Sequence, residues 1–156
     1  MQVDLSPADY MPAPPPGDVI DPFGIAVVGC GGVAQGAHLP SYRRFGYRVV
    51  AACDIIEEKA RQAASDFGIP FWTTNVEDVL GRDDVDVVDL AVVPSQRLAL
   101  VEKIAPAGKH ILSQKPLAET LADAERIVQV CREAGVTLMV NQQRRWIAYH
   151  RAMKVL

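Results

Sequence analysis

A short glycine-rich run between an apolar segment and a helix-forming segment constrains the fold of this chain more than any other feature. The segment Gly24–Val28 reads GIAVV, and an uncharged, β-branched run of this length predicts a buried strand. Directly after it, Gly29, Gly31 and Ala34 occupy the three small-residue positions of a G-x-G-x-x-G/A pattern. The order of strand, glycine turn and helix is typical of the first half of a βαβ unit.

Each small residue of this pattern has a physical task. Gly29 permits the tight turn out of the strand, Gly31 lets the main chain approach a pyrophosphate, and Ala34 lets the helix pack close to the strand. The helix N-terminus, with Gly32 and Val33, offers unpaired N–H groups and the positive end of a helix dipole to phosphates. These five residues are therefore candidates for binding a dinucleotide.

A second predicted strand ends in a carboxylate at a suitable distance from the turn. Residues 47–53 read YRVVAAC, and Asp54 follows them. An acid about 20–25 residues after the first glycine can hold a ribose 2′-hydroxyl of the dinucleotide. A glycine turn and a strand-ending aspartate also occur in ordinary α/β proteins, but the complete order of elements favours dinucleotide binding.

The residues around Asp54 favour NAD over NADP. Ile55 follows the acid directly, and no Arg or Ser stands beside it. A 2′-phosphate would meet the like charge of the carboxylate and would lack an adjacent basic partner. Arg43, Arg44 and Arg48 are close in sequence, and they would reverse the preference if one reached the pocket.

Composition excludes several other classes of function. The chain has 156 residues and a net charge of −3, without a basic tract, so nucleic-acid binding has little support. No apolar run is long enough to span a bilayer, and the N-terminus lacks the features of a signal peptide. The three scattered cysteines, Cys30, Cys53 and Cys131, form no metal motif and fit a reducing cytoplasm.

The rest of the chain predicts alternating strands and helices after a separate leader. Residues 1–22 include MPAPPPG and predict a disordered, proline-rich arm. Predicted strands cover residues 24–28, 47–53, 69–72, 85–93, 109–113 and 136–140. Predicted helices cover 33–45, 57–67, 76–80, 95–107, 120–134 and 146–156. This alternation predicts an α/β fold with a Rossmann-type doubly wound parallel sheet of strand order 3-2-1-4-5-6.

Some local expectations within this scheme depend on single residues. Pro70 is expected in an edge strand, where a missing N–H is tolerated. Ser95 is expected to cap the helix after the fourth strand. His38 is expected to be a packed histidine near the glycine turn, and Pro40 to kink the first helix or begin a new turn. The helix after Thr120 is expected to bury a stripe made of Leu121, Ala124, Ile127, Val128 and Cys131.

Several short motifs coincide in this chain. They are GCGGVA with His38 and Pro40, AACD ending at Asp54, GKHILSQKPLA over residues 108–118, and RRW over residues 144–146. Together they resemble the N-terminal half of the glucose–fructose oxidoreductase/inositol dehydrogenase (Gfo/Idh/MocA) family, from about residue 23 to residue 146. The Lys-Pro segment is the specific part, since the glycine turn alone is shared by many Rossmann proteins.

The resemblance implies a two-domain, NAD(P)-dependent oxidoreductase that transfers hydride to or from a sugar, inositol or related small hydroxy compound. It implies that Lys115 is the catalytic residue beside the nicotinamide, where it exchanges a proton with the reacting hydroxyl. Gln114 would also contact the cofactor. Val93 and Pro94 follow the fourth strand, whose end faces the ligand crevice of such a sheet, and they complete the predicted cofactor site.

The chain departs from the family pattern at three places. Gln114 replaces the usual Glu, so a neutral amide stands beside Lys115. Leu98 stands where relatives often have a histidine. The resemblance also implies a substrate domain, which usually supplies a catalytic histidine; this chain is expected to lack that domain, and His150 is out of position for the histidine's role. Residues 23–145 are thus predicted to form the dinucleotide-binding domain and residues 146–156 the start of a linker helix, with little activity in this chain alone.

Two other functions fit part of the same pattern. A stand-alone dinucleotide-binding module with a sensing or scaffold role fits the same residues. A Rossmann protein for another ligand, such as a methyl donor, fits the turn but not the Lys-Pro segment. The predicted helix over 146–156 carries Trp146, Ile147, Met153 and Leu156, and this apolar set predicts self-association into a homo-oligomer.

Overall fold

The computed structural model describes residues 23–155 as a single parallel sheet with helices on both faces. The arm predicted for residues 1–22 lies outside the described residues. All strand pairs are parallel, and the order is β3-β2-β1-β4-β5-β6, which confirms the predicted order. The strands are β1 (Gly24–Val28), β2 (Arg48–Cys53), β3 (Trp72–Thr73), β4 (Val87–Leu90), β5 (His110–Gln114) and β6 (Leu138–Asn141).

The helices follow the strands in sequence. A π-helical turn (Ala34–His38) precedes the first α-helix, and a 3₁₀ turn (Gln143–Trp146) precedes the last. The α-helices are α1 (Leu39–Phe45), α2 (Glu57–Phe67), α3 (Val76–Leu80), α4 (Pro94–Ile104), α5 (Leu121–Glu133) and α6 (Ala148–Val155).

Strand β1 lies at the centre of the molecule and is buried along its whole length. Successive side chains point to opposite faces of a strand. Ile25 and Val27 pack with residues of α1 and α2, whereas Ala26 and Val28 pack with residues of α3, α4 and α5. An uncharged strand such as GIAVV is required here because both of its faces are covered.

The first helix accommodates Pro40 by widening one turn. The N–H of Leu39 donates to the Ala34 carbonyl, five residues back, and Pro40 lies in the first turn of α1. Proline has no N–H and its ring collides with the carbonyl four residues earlier, so a π turn ahead of it relieves both problems. The helix therefore continues to Phe45 without breaking.

Two local expectations about prolines and caps are wrong. Strand β3 contains Trp72 and Thr73 alone, so Pro70 lies outside the strand, in the connection that follows α2. Ser95 does not cap α4, because the N-cap is Val93 and Pro94 takes the first helical turn. Proline suits that turn, where its missing N–H would have no intrahelical partner.

The expected stripe on α5 is also partly wrong. Leu121 is 74% exposed and Val128 is 39% exposed, while Val130 is buried together with Ile127 and Cys131. The buried face therefore starts one turn later than the sequence suggests. Thr120 caps this helix, since its side-chain oxygen accepts from the Asp123 N–H.

Part of one sheet face carries an exposed apolar groove. Phe23, Tyr47, Val87, Leu112 and Met139 are among its lining residues, and no sequence pattern predicted this groove. On the C-terminal helix Met153 is 69% exposed; the side chains of residues 146 and 156 lie outside the described part. Within residues 23–155, none of the helices combines the length and the apolar character needed to cross a bilayer.

Candidate functional site

The strand register brings the predicted site residues to one edge of the sheet. Val28, the last residue of β1, pairs with Cys53 of β2 on one side and with Leu90 of β4 on the other. Leu90 in turn pairs with Ser113 of β5. The segments after these strands therefore start at the same carboxyl edge, and the chain reverses its strand order between β1 and β4, where ligands bind in such sheets.

Gly29 makes the first turn at this edge and cannot be replaced without strain. Its φ is +94°, and an added Cβ would lie 2.8 Å from the carbonyl carbon and oxygen of Ala91. Its N–H donates to the Cys53 carbonyl at 2.8 Å. The turn is thus held tightly between the ends of β2 and β4.

Gly31 and Gly32 face open space instead. A Cβ built on either residue meets no atom of the described chain within 4 Å. Gln35 stabilises the glycine turn, because its side-chain amide donates to the Cys30 carbonyl at 2.7 Å. Ala34 is fully buried, so the start of the helix lies against the sheet. The main chain of the two glycines is thus open to a ligand at a helix N-terminus.

Asp54 is tied directly to this glycine turn. Its Oδ2 accepts the Cys30 N–H at 2.8 Å, and its Oδ1 accepts the Ile56 N–H at 2.9 Å. The side chain is half-buried. Each carboxylate oxygen can accept more than one hydrogen bond, so Asp54 keeps acceptor capacity for hydroxyl groups of a ligand while its position is fixed.

Three apolar side chains stand exposed around the same edge. Val33 is 54%, Ile55 is 90% and Val93 is 61% exposed. Each follows a different strand, namely β1, β2 and β4. Apolar side chains with a few convergent polar groups are typical of cofactor sites, and these three share the carboxyl edge with the glycine turn and Asp54.

The arginines that could reverse the cofactor preference lie elsewhere. Arg48 begins β2 and pairs with Gly24, at the opposite end of the strand from Asp54. The Arg43 guanidinium contacts the Asp66 carbonyl and lies 4.6 Å from the centre of the Phe67 ring. Helices α1 and α2 run away from the carboxyl edge, so their C-terminal residues are remote from the site.

Lys115 follows β5 and is exposed at the carboxyl edge. The peptide bond between Lys115 and Pro116 is cis. The neighbouring Gln114 side chain is directed to His38, with 2.9 Å between Gln114 Nε2 and His38 Nε2. The Asn141 amide nitrogen lies 3.5 Å from the same ring nitrogen. The structure thus brings Lys115 to the edge and engages its neighbour in a buried polar network.

His38 and Asp89 form the centre of this network. His38 Nδ1 lies 2.6 Å from Asp89 Oδ2, and the Tyr42 hydroxyl donates to the same oxygen at 2.8 Å. Burial and the nearby Asp89 raise the pKa of Tyr42 far above its usual range. Sequence reasoning missed the partner of His38; the acid inside the apolar run VVDLAVV was the signal that could have identified it.

Arg97 is a second residue that sequence reasoning missed. Its guanidinium is buried, at 2% exposure, and donates to the carbonyls of Val92 at 2.7 Å and Gln114 at 2.6 Å. It also donates to the Pro116 carbonyl. Burial lowers the pKa of Arg97. An arginine in the first turn of a helix carries no sequence signal for such a role.

The cysteines are buried and free. Burial, with a contribution from the Asp54 charge, raises the pKa of Cys30 to about 12 and that of Cys53 to about 11. Both thiols are therefore protonated near neutral pH and serve as core residues. Within residues 23–155, no group of three or more His, Cys, Asp or Glu side chains is placed to hold a metal ion.

Comparison with known proteins identifies relatives for most of the described chain. The family model described as the oxidoreductase family with an NAD-binding Rossmann fold (GFO_IDH_MocA) matches residues 23–142. D-Apiose dehydrogenase of Paraburkholderia graminis is 39% identical over 122 residues, which are 78% of this chain and 32% of that protein. 1,5-Anhydro-D-fructose reductase of Ensifer adhaerens is 35% identical over 128 residues, 82% of this chain and 38% of that protein.

Solved structures show the same fold. The WlbA dehydrogenase of Bordetella pertussis, in complex with NADH and UDP-GlcNAcA, superposes with a TM-score of 0.74 at 30% identity, over 79% of this chain and 36% of that one. KijD10, a 3-ketoreductase of Actinomadura kijaniata in complex with TDP-benzene and NADP, superposes with a TM-score of 0.76 at 29% identity. The match covers 85% of this chain and 42% of that one. The chain thus spans roughly a third to two fifths of these relatives' lengths.

Proposed function

This chain belongs to the Gfo/Idh/MocA oxidoreductase family, and we propose that it is the dinucleotide-binding part of an enzyme that transfers hydride between a nicotinamide cofactor and a sugar, inositol or related hydroxy compound. The observation that carries this proposal is the meeting of the open glycine turn, Asp54 and Lys115 at one edge of the sheet. The relatives' names include a D-apiose dehydrogenase and a 1,5-anhydro-D-fructose reductase, which supports a sugar-like substrate.

The residues present fit a dinucleotide. The open main chain at Gly31 and Gly32, together with Val33 at the helix N-terminus, would receive the pyrophosphate. Asp54 would accept hydrogen bonds from the adenosine ribose. Ile55 would then contact the adenine, because it is exposed directly beside Asp54 and offers an apolar surface.

NAD is the proposed cofactor rather than NADP. The Asp54 carboxylate would repel a 2′-phosphate, and Arg43 and Arg48 are engaged away from this edge. The two solved relatives hold NADH in one case and NADP in the other, so the family as a whole uses both. The preference proposed for this chain therefore depends on Asp54 and its surroundings.

Lys115 is proposed to handle the proton of the reaction. The bound nicotinamide ring would supply the hydride acceptor or donor. As hydride leaves carbon, the substrate hydroxyl must lose its proton to a base, and it regains one in the reverse direction. Lys115 is exposed at the carboxyl edge, one strand away from Val93 and Pro94, which would flank the nicotinamide.

The complete protein is proposed to be a cytoplasmic homo-oligomer. The free, buried cysteines fit a reducing compartment. The apolar groove lined by Phe23 and Met139 and the exposed Met153 are surfaces that association would cover. The substrate would be held largely by the remaining part of the protein, so this chain alone is expected to turn over little.

Calorimetric titration of this chain with NAD and, separately, with NADP tests the proposal. Binding of NAD at least ten times tighter than NADP is expected. The Gly31→Ala variant should lose NAD affinity, because its added methyl occupies the space left for the pyrophosphate. Equal affinity for the two dinucleotides would reject the cofactor assignment, and absence of binding to both would reject the site.

A further inference from the structure

Arg97 holds the main chain on both sides of Lys115. One terminal nitrogen, Nη1, donates to the Gln114 carbonyl at 2.6 Å and to the Pro116 carbonyl. The other, Nη2, donates to the Val92 carbonyl at 2.7 Å. A single guanidinium therefore joins the segment that carries Lys115 to the segment that follows β4.

The place of this arginine in the helix is unusual. The buried face of α4 consists of Arg97 and two apolar residues, Val101 and Ile104. Among the described residues Arg97 forms no ion pair with a carboxylate, and its Nε has no hydrogen-bond partner. Burying a cation costs free energy unless polar groups compensate for lost water. An apolar residue would fill the same place at lower cost, so packing alone does not account for an arginine here.

We propose that Arg97 is a positioning residue that fixes Lys115 relative to the nicotinamide side of the site; this inference rests on the proposed function of Lys115. The carbonyls of Gln114 and Pro116 belong to residues directly before and after the lysine, so holding both sets the direction in which the Lys115 side chain leaves the main chain. The bond to Val92 sets the distance to Val93 and Pro94. Misplacement of a reacting group by about 1 Å can reduce a rate on the order of 100-fold.

The positioning role proposed for Arg97 can be distinguished from a role in cofactor affinity. The phosphate and ribose contacts are proposed for the glycine turn after β1 and for Asp54 after β2, whereas Arg97 acts on the segments after β4 and β5. Replacement of Arg97 should therefore leave NAD affinity within about threefold of the wild type, while the surroundings of Lys115 change. A general structural role would lower stability and affinity together.

The test uses reductive methylation of the lysines with ¹³C-formaldehyde and two-dimensional NMR of the chain, with the Lys115→Arg variant identifying the Lys115 signal. In the wild type, saturating NAD should shift that signal. In Arg97→Met the NAD-induced shift should fall by at least half, and in Arg97→Lys, which keeps the charge but has fewer donors, it should be partly restored. The matched control is Arg126→Met, which replaces an exposed arginine on α5. It should retain the full NAD-induced shift of the Lys115 signal.

Each outcome has a separate meaning. A Lys115 signal that NAD does not shift in the wild type overturns the proposed function of Lys115, whatever Arg97 does. A wild-type shift that persists in both Arg97 variants, at unchanged NAD affinity, overturns the positioning role alone. A parallel loss of affinity and shift also overturns it, in favour of a general structural role. If Arg97→Met does not fold, Arg97→Lys carries the same comparison.

Discussion

His38 Nδ1 lies 2.6 Å from Asp89 Oδ2, and both side chains are buried. Because an ionised carboxylate can only accept, the shared proton is assigned to His38 Nδ1, which leaves Nε2 as an acceptor. The Gln114 amide nitrogen, 2.9 Å away, is then the donor. The buried pair of His38, in the π-helical turn before α1, and Asp89, on β4, thus orients Gln114, the residue next to Lys115.

The first prediction concerns this pair. Asp89→Asn should lower the free energy of unfolding by about 2–3 kcal/mol. The amide oxygen can still accept from His38 and Tyr42, but the charge that strengthens both bonds is lost, and the amide NH2 is buried where Asp89 Oδ1 has no partner. Tyr42→Phe removes one of the two hydrogen bonds and should cost about 1–2 kcal/mol. Urea unfolding measures both. A loss in Asp89→Asn no larger than that in Tyr42→Phe would show that the pair with His38 contributes little.

A matched pair of glycine variants separates folding from binding. Gly29→Ala should cost about 3 kcal/mol of stability or more, because φ is +94° and the new Cβ would lie 2.8 Å from the Ala91 main chain. Gly31→Ala should change stability by less than about 1 kcal/mol, yet lower NAD affinity tenfold or more. Thermal unfolding and calorimetry of the two variants check this. Similar stability losses in both would contradict the assigned geometry.

The charge of Asp54 should decide between the two dinucleotides. Asp54→Asn keeps the size of the side chain and one acceptor oxygen, but removes the charge that opposes a 2′-phosphate. The ratio of NADP to NAD dissociation constants should therefore fall at least fivefold. Asp66→Asn, which removes an exposed carboxylate at the end of α2, is the control and should leave the ratio unchanged. An unaltered ratio in Asp54→Asn would refute this role.

Stability should decline in alkaline solution because of the buried thiols. The pKa values of Cys30 and Cys53 are raised from 9.0 to about 12 and about 11. The unfolded chain loses these protons from about pH 9, whereas the native chain keeps them. The contribution of the protonated thiols to the free energy of unfolding is therefore complete below pH 9 and is lost as pH rises towards 11–12. Each thiol loses up to about 1.4 kcal/mol per pH unit in this range.

Chemical denaturation at pH 8 and pH 10.5 measures this decline. The double variant Cys30→Ala/Cys53→Ala should lose less stability between the two pH values than the wild type. The burial of Tyr42 adds to the decline in both proteins and cancels in the comparison. Equal declines in the wild type and the double variant would exclude the thiols as the source.

The strand order and the site edge were predictable because they follow from local patterns. Apolar runs alternate with helical segments, and this alternation together with right-handed crossovers leaves few sheet topologies. Gly29 and Asp54 stand at strand ends, and parallel strands place those ends on one edge. Sequence reasoning therefore reached the neighbourhood of the candidate site without any knowledge of contacts.

The polar contacts beneath the site were not predictable in the same way. His38 and Asp89 are 51 residues apart, and their meeting depends on how the π turn rotates the first helix against β4. Arg97 bonds to carbonyl groups, which every residue possesses, so no residue type marks its partners. Periodicity also misplaced the α5 stripe, since Leu121 in the first turn is exposed whereas Ile127 and Val130 are buried; the period of a helix does not tell where along its length the packing begins.

Mapping of NAD onto the backbone amides by NMR tests the central claim most directly. If the carboxyl edge is the dinucleotide site, saturating NAD should shift the amide signals of Gly31, Gly32, Val33, Ile55 and Val93, and leave those of the apolar groove, such as Met139, unchanged. Shifts confined to the groove, or none at a concentration that saturates binding, would contradict the account.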